Sequence, residues 1–210
     1  IKVGDRVAYG SGPVGSYCTV RNMPAHPLVK IPDSIDFETA AAMMLKGFTA
    51  QYLLRRVYRV QAGETILFHA AAGGVGSIVT QWAKSLGVRV IGTVSTREKA
   101  ELAKANGCAE VIITSEENIV DRVKELTNGK GVPVVYDSVG KATFVDSLNC
   151  LKPRGMMVSF GNASGKVDPV PLNWLAERGS LVLTRPTVAS FTVDKAEMLE
   201  SAAEMFGVVA

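Results

Sequence analysis

The chain has 210 residues, of which 47% are hydrophobic and 20% charged, with a formal net charge of +3. That length buries a good core in one large domain, or in one domain plus part of another, and the composition is that of a globular protein. The small charge argues against nucleic acid or a membrane surface as the main partner, and no apolar run is long enough to cross a bilayer.

Residues 1–31 are rich in β-formers and punctuated by Gly4, Gly10, Gly12, Pro13, Gly15, Pro24 and Pro27, so short strands are expected at 6–8 and 16–20. Residues 32–38 read as a helix entry with Asp36 as a candidate cap, followed by a helical run over 39–44. A second helix, 49–58, leads to a turn at Ala62-Gly63-Glu64. From Thr65 the pattern alternates. Strands are expected near 65–69, 88–94, 110–113, 133–137, 155–160 and 180–185, and helices near 76–86, 97–106, 116–127, 141–151, 171–178 and 193–206. Strand alternating with helix implies an α/β fold: a doubly wound parallel sheet of Rossmann type, with right-handed crossovers and a ligand crevice at the strand carboxyl ends. There is no solenoid repeat and no low-complexity tract.

The most informative stretch is Thr65-Ile66-Leu67-Phe68-His69-Ala70-Ala71-Ala72-Gly73-Gly74-Val75-Gly76, an apolar run entering a glycine turn. The helix after it is closed by Gly87. Strand, glycine turn and helix are what a dinucleotide pyrophosphate needs: small residues admit the phosphates to the backbone, and the helix start offers unpaired N–H groups and a positive dipole end. The motif is Ala71-x-Gly73-x-x-Gly76, with alanine in place of the usual first glycine, and such turns also serve as plain strand-to-helix connections. The next strand, 88–94, completes a β-α-β unit. A site preferring NAD places a carboxylate at the tip of this strand, about twenty residues beyond the turn. Here the tip is Ser95-Thr96-Arg97-Glu98-Lys99, in which a hydroxyl, a guanidinium and an ammonium cluster where a 2′-phosphate would sit. NADP(H) is therefore favoured through Ser95, Arg97 and Lys99. The alternative is that Arg97 and Lys99 are solvated residues of the next helix's first turn; Glu98 is either a ribose ligand or part of that helix start.

Two later strand ends face the same crevice, Val134-Val135-Tyr136-Asp137-Ser138-Val139-Gly140 and Met157-Val158-Ser159-Phe160-Gly161-Asn162. Asp137 reads either as a catalytic carboxylate or as a residue bonding local backbone, and Phe160 either as core or as a wall of the nicotinamide pocket. Cys18, Cys108 and Cys150 are odd in number and lack C-x-x-C spacing, which argues against a disulfide framework or a structural zinc and suits a reducing cytoplasm. Neither His26 nor His69 stands at ligand spacing from a cysteine, so no metal site is expected; His69 reads as a packed, hydrogen-bonded residue or, alternatively, a ligand.

Gly4-Asp5-Arg6-Val7, Leu45-Lys46-Gly47-Phe48-Thr49-Ala50, the Ala-Ala-Gly-Gly-Val-Gly turn, Val135-Tyr136-Asp137-Ser138-Val139-Gly140 and Ser159-Phe160-Gly161-Asn162 together resemble one family in order along the chain. It is the zinc-free quinone oxidoreductases, the zeta-crystallin-like branch of the medium-chain dehydrogenase/reductases, with the bacterial members most similar. The resemblance implies a GroES-like β-barrel catalytic domain, here partial and covering residues 1–38, joined to an NADP-binding Rossmann domain with its leading helices over 39–210. It assigns the pyrophosphate to the backbone of Gly73, Gly74, Val75 and Gly76, and the 2′-phosphate to Ser95 and Lys99. Lys46 and Thr49 would approach the nicotinamide and its ribose, with Ser138, Val139, Phe160, Gly161 and Asn162 bordering that pocket. Related enzymes often carry a tyrosine at the end of the third strand, where this chain has Thr114.

The resemblance further implies a homodimer through residues 180–184 and a barrel extending beyond both ends of this chain, so the chain is expected to be a fragment that binds NADPH without necessarily turning over. The implied activity is zinc-independent transfer of hydride or electrons from NADPH to a quinone, in which positioning carries most of the catalysis and no residue of this chain stands out as acid, base or nucleophile. Two alternatives remain: reduction of an enal or enone with the same cofactor, and a non-catalytic, crystallin-like nucleotide-binding role.

Overall fold

The computed structural model describes residues 1–209. In chain order it contains β1 (Val7–Ala8), β2 (Val29–Lys30), α1 (Phe37–Tyr52), a π-helical turn (Leu53–Val57), β3 (Thr65–Phe68), α2 (Gly74–Ser85), β4 (Arg89–Val94) and α3 (Arg97–Ala105). There follow β5 (Glu110–Ile113), α4 (Ile119–Leu126), β6 (Val132–Asp137), α5 (Phe144–Cys150), β7 (Leu151–Ser159), α6 (Asn173–Glu177), β8 (Val182–Thr184), a 3₁₀ turn (Val188–Phe191) and α7 (Lys195–Val209). Two compact units result, one from residues 1–52 with the segment from 187 onward, the other from residues 53–186.

In the first unit β1 and β2 pair antiparallel, Val7 opposite Lys30 and Ala8 opposite Val29. Asp36 caps α1, its Oδ1 accepting from Thr39 N at 2.6 Å. The two helices expected over 39–44 and 49–58 do not form separately: α1 runs unbroken from Phe37 to Tyr52. Buried Met44, Phe48 and Tyr52 recur every fourth residue and give it one continuous apolar face. Gly47, which costs a helix interior about 1 kcal/mol, sits where a Cβ would collide with Met205 of α7. The strand expected at 16–20 is also absent. Those residues are exposed, and Gly15 just before them has φ +124. With no neighbouring strand to complete a ladder, the segment is held by Arg21, which donates to Tyr9 Oη at 2.7 Å.

The second unit is a six-stranded, wholly parallel sheet in the order β5-β4-β3-β6-β7-β8. Counted from β3 this is the doubly wound order 3-2-1-4-5-6, so the Rossmann-type fold expected from the sequence is the one that forms. Its central strands are covered on both faces, as parallel sheets require: every residue of β6 is buried, and Ile66, Leu67 and Phe68 of β3 with them. Leu67, Ile91, Val135 and Met157 from the strands meet Val123, Phe144 and Leu148 from α4 and α5 in the core.

Several element boundaries differ from the expected ones by two residues or more, and two of the shifts have a visible cause. Asn118 Oδ1 accepts from Asp121 N at 3.0 Å, so α4 starts after that cap rather than at residue 116. The strand expected at 155–160 starts at Leu151, directly after α5; Arg154 takes φ +63 and the register against β6 shifts between Val132 and Val134.

Candidate functional site

The sheet order reverses between β3 and β6, and their carboxyl ends diverge there into a crevice. At the end of β3, Ala70 adopts the left-handed φ of +55, and Gly73 N donates back to Ala70 O at 2.8 Å, closing a tight turn. Gly73 is the extended N-cap of α2 and has no side chain to bond the helix start, so the first N–H groups of α2 are left for another acceptor. The turn leaves no room for larger residues. A Cβ on Gly76 would stand 2.5 Å from Ala71 O and 2.6 Å from Ala70 O, and one on Gly73 3.0 Å from Ala70 O.

At the tip of β4, Thr96 caps α3 by accepting from Lys99 N at 3.3 Å. That first turn folds Lys99 back over the strand end, where Nζ donates to Ser95 Oγ at 3.1 Å. Ser95 and Lys99 are thus already paired, exposed to an incoming anion. Arg97 is differently placed: its guanidinium engages both carboxylate oxygens of Glu116, at 2.9 and 3.2 Å. The Glu98 carboxyl is held below its usual range by the Thr96 hydroxyl and its own backbone N–H, as suits a helix start.

A cleft of about 650 Å³ runs along this edge, lined among others by Ala70, Gly73, Ser95, Lys99, Thr114, Ile119, Val139, Thr143 and Asp146. Of the candidates named from sequence, it brings together Gly73, Ser95, Lys99 and Val139. Gly74, Val75 and Gly76 form the first turn of α2 beside it. Ser138, Phe160, Gly161 and Asn162 occupy the adjoining ends of β6 and β7 without lining it. There Phe160 N donates to Asp137 O at 2.8 Å, a Cβ on Gly161 would collide with Ser138 O, and the Phe160 ring packs 5.7 Å from that of Phe68. Lys46 and Thr49 belong to α1 in the other unit; Lys46 is exposed, and Thr49 Oγ1 donates to Leu45 O at 2.8 Å.

Beneath the cleft lies a buried polar network that sequence reasoning did not assemble. Asp137 Oδ1 accepts from Val139 N (2.7 Å) and Gly140 N (3.0 Å), and Oδ2 from Thr143 Oγ1 (2.8 Å) and Ser147 Oγ (3.0 Å). The carboxylate therefore organises local backbone. His69 bridges outward from the same cluster, with Nδ1 2.9 Å from Thr93 Oγ1 and Nε2 2.9 Å from Ser147 Oγ. It is fully buried, and burial pushes its ring below the usual histidine range while the Asp137 charge opposes. Both nitrogens are occupied, so it is packed rather than ligating. Thr93, Thr143 and Asp146 carried no motif; only the strand-end position of Thr93 hinted at the crevice. Among the described residues no group of three or more His, Cys, Asp or Glu side chains is placed to hold a metal ion, and no helix is long and apolar enough to cross a membrane.

The chain is 57% identical over 208 residues to a quinone oxidoreductase of Pseudomonas aeruginosa, covering 99% of this chain and 64% of that protein. It is 46% identical over 210 residues to a 2-haloacrylate reductase of a Burkholderia species, covering 99% of this chain and 63% of the relative. Among solved structures, that of Escherichia coli quinone oxidoreductase complexed with NADPH superposes with a TM-score of 0.97 at 49% identity, covering 100% of this chain and 64% of that one. The chain thus spans somewhat under two thirds of the length of these curated relatives. The family described as zinc-binding dehydrogenase matches residues 74–206, which take in Gly74–Gly76, the Ser95–Lys99 pair and the Asp137 network. The chain belongs to that zinc-binding dehydrogenase family.

Proposed function

We propose that this chain binds NADPH along the carboxyl edge of β3, β4 and β6, and that the protein uses it to reduce a quinone without zinc. The observation that carries the proposal is the Ser95–Lys99 pair at the β4 tip, in one cleft with the Gly73 turn. A pyridine dinucleotide phosphate carries a bridging pyrophosphate and a 2′-phosphate, and the two features match these in kind. The unpaired N–H groups of Gly74, Val75 and Gly76 would take the pyrophosphate, and Ser95 and Lys99 the 2′-phosphate. Arg97, fixed on Glu116, would contribute charge rather than a direct bond. Ser138, Val139, Phe160, Gly161 and Asn162 would border the nicotinamide, and the family resemblance assigns Lys46 and Thr49 to the same nucleotide. The Escherichia coli relative's complex with NADPH supports NADPH as the nucleotide.

The bound nucleotide would supply a hydride, or electrons singly, and this chain's residues would bind, orient and exclude water. Both His69 nitrogens are hydrogen-bonded, so this histidine would supply no zinc ligand. Residues 1–38 would belong to the catalytic domain, and the rest to the nucleotide domain. A homodimer through β8 is supported by that strand's place at the sheet edge and by exposed Val182 and Leu183. The three free cysteines suit a cytoplasmic setting.

Titration with NADPH and NADH tests the cofactor assignment: tighter NADPH binding is expected, and equal affinities would remove it. Turnover of a quinone panel tests the activity. Reduction of an activated alkene is the second reading, favoured by the 46% identical haloacrylate reductase, and preferential turnover of such an alkene would select it. Tight binding without any turnover by the full-length protein would select the non-catalytic, crystallin-like role.

A further inference from the structure

We propose that His69 is a positioning residue of the nucleotide cleft: its ring cross-links the end of β4 to α5 and, through Ser147 and Asp137, fixes the residue 138–143 turn that forms a cleft wall. The proposal rests on the nucleotide assignment above and says how that site is held in shape.

The proton inventory supports it. Ser147 has one hydroxyl proton, and two of its neighbours can only accept: Asp137 Oδ2 at 3.0 Å and Thr143 O at 2.8 Å. Whichever takes that proton, Ser147 faces His69 with a lone pair, so Nε2 must be the donor. A neutral ring with its proton on Nε2 leaves Nδ1 as an acceptor, and the Thr93 hydroxyl must donate to it at 2.9 Å. In the chain Thr93–His69–Ser147–Asp137, the bonds from Thr93 to His69 and from His69 to Ser147 then have fixed directions, and the Ser147 proton goes to Asp137 Oδ2 or to Thr143 O, both of which belong to or hold the same turn. Asp137 in turn accepts from Val139 N and Gly140 N and from the Thr143 hydroxyl, so the carboxylate at the chain's end holds the turn by its backbone. Thr93, Val139 and Thr143 all line the cleft. They come from the two sides of the topological switch point, and the imidazole is the link between those sides.

The ring is needed for its geometry. A buried network with every partner satisfied admits one arrangement; removing a link leaves donors and acceptors unpaired, and they find new partners by shifting backbone. Here the nearest backbone is the cleft wall. Phosphate selectivity should not change, because Ser95 and Lys99 are held by Thr96 and α3, outside the network.

The test uses the purified protein, three single variants, His69→Asn, His69→Gln and Ser147→Ala, and the His69→Asn/Ser147→Ala double variant. Asparagine places its amide where Nδ1 stands and keeps the Thr93 contact while losing Ser147; glutamine reaches to where Nε2 stands and keeps the Ser147 contact. The expected result is a five- to tenfold rise in the NADPH Kd for His69→Asn and for Ser147→Ala. The His69→Asn/Ser147→Ala double variant should be no weaker than either single, and His69→Gln, which keeps the Ser147 end of the link and loses the Thr93 end, should weaken NADPH binding less than His69→Asn does. The ratio of NADH to NADPH Kd stays constant throughout. The inference is overturned if folded His69→Asn binds NADPH as wild type does. It is equally overturned if Asn and Gln weaken binding in step with their loss of melting temperature, since rescue by Gln is what a merely structural histidine would not give. Should His69→Asn fail to fold, Ser147→Ala alone decides: unchanged binding overturns the proposal. If wild type itself shows no preference for NADPH, the cofactor assignment has failed instead, and the two failures are told apart.

Discussion

Gly76→Ala sets two effects of known size against each other. Gly76 is in the first turn of α2, where alanine is the better helix former by about 1 kcal/mol. On propensity alone the variant gains stability. Its Cβ, however, would stand 2.5 Å from Ala71 O, 2.6 Å from Ala70 O and 2.7 Å from Ala71 C. Ordinary carbon–oxygen contact is about 3.3 Å, so the turn must open by something on the order of 0.8 Å. All three neighbours are backbone, and no side chain can swing away. Overpacking of this kind costs about 1–3 kcal/mol, which outweighs the propensity gain and leaves a net loss near 1 kcal/mol, or a melting point lower by about 2–4 °C. The functional loss should be larger. Opening the turn shifts the Gly74–Gly76 N–H groups away from the phosphates, and losing one charge-assisted bond costs about 1.5–3 kcal/mol, so the NADPH Kd rises at least about tenfold. Thermal melts and NADPH titration by fluorescence measure both. Gly207→Ala in α7 is the control, because nothing lies within 4 Å of a Cβ there; it should gain up to about 1 kcal/mol and leave nucleotide affinity unchanged. A Gly76→Ala protein that melts higher and binds NADPH within twofold of wild type would refute the steric reasoning and the phosphate assignment together.

Three further outcomes are expected. Lys99→Ala should raise the NADPH Kd about five- to tenfold and leave NADH binding within twofold; because the pair is solvent-exposed, the difference should shrink as salt rises, and equal losses for both nucleotides would contradict it. Burial holds His69 below its ordinary value of 6.5, so below that pH the unfolded chain binds a proton the native one does not. Urea melts should then show stability falling as pH drops from 6.5, with His69 contributing a slope approaching about 1.4 kcal/mol per pH unit; a His69→Gln protein with the same slope as wild type would disprove it. Burial pushes the thiols of Cys108 and Cys150 up to about 12, while Cys18 is exposed. A disulfide reagent at pH 8 should therefore modify Cys18 quickly and the other two only after denaturation, and rapid loss of more than one thiol would count against the buried placement.

What the sequence determined by itself was everything carried by short-range order. Periodicity two giving way to 3.6 placed the strands and helices of the doubly wound sheet within a few residues, and Gly73 and Gly76 marked the turn whose backbone contacts exclude a Cβ. The polar cluster at the β4 tip was legible too, because Ser95 and Lys99 are one helical turn apart and meet through local geometry alone. Only the tertiary structure could separate Arg97 from Lys99. In the string both are cations beside a strand tip; in the fold Glu116, from beyond the next strand, takes the guanidinium and leaves the ammonium over the cleft. The continuity of α1 through Gly47 was likewise hidden, since the reason for a glycine there is Met205 on a distant helix. His69, Thr93, Asp137 and Ser147 show the limit most clearly. They are scattered over two strands, the turn after a third and a helix, and their roles as donor or acceptor exist only once the parallel sheet has brought them within 3 Å. Local periodicity fixes which face of an element is apolar; which buried polar atoms meet depends on strand order, and that order is set by packing across the whole sheet.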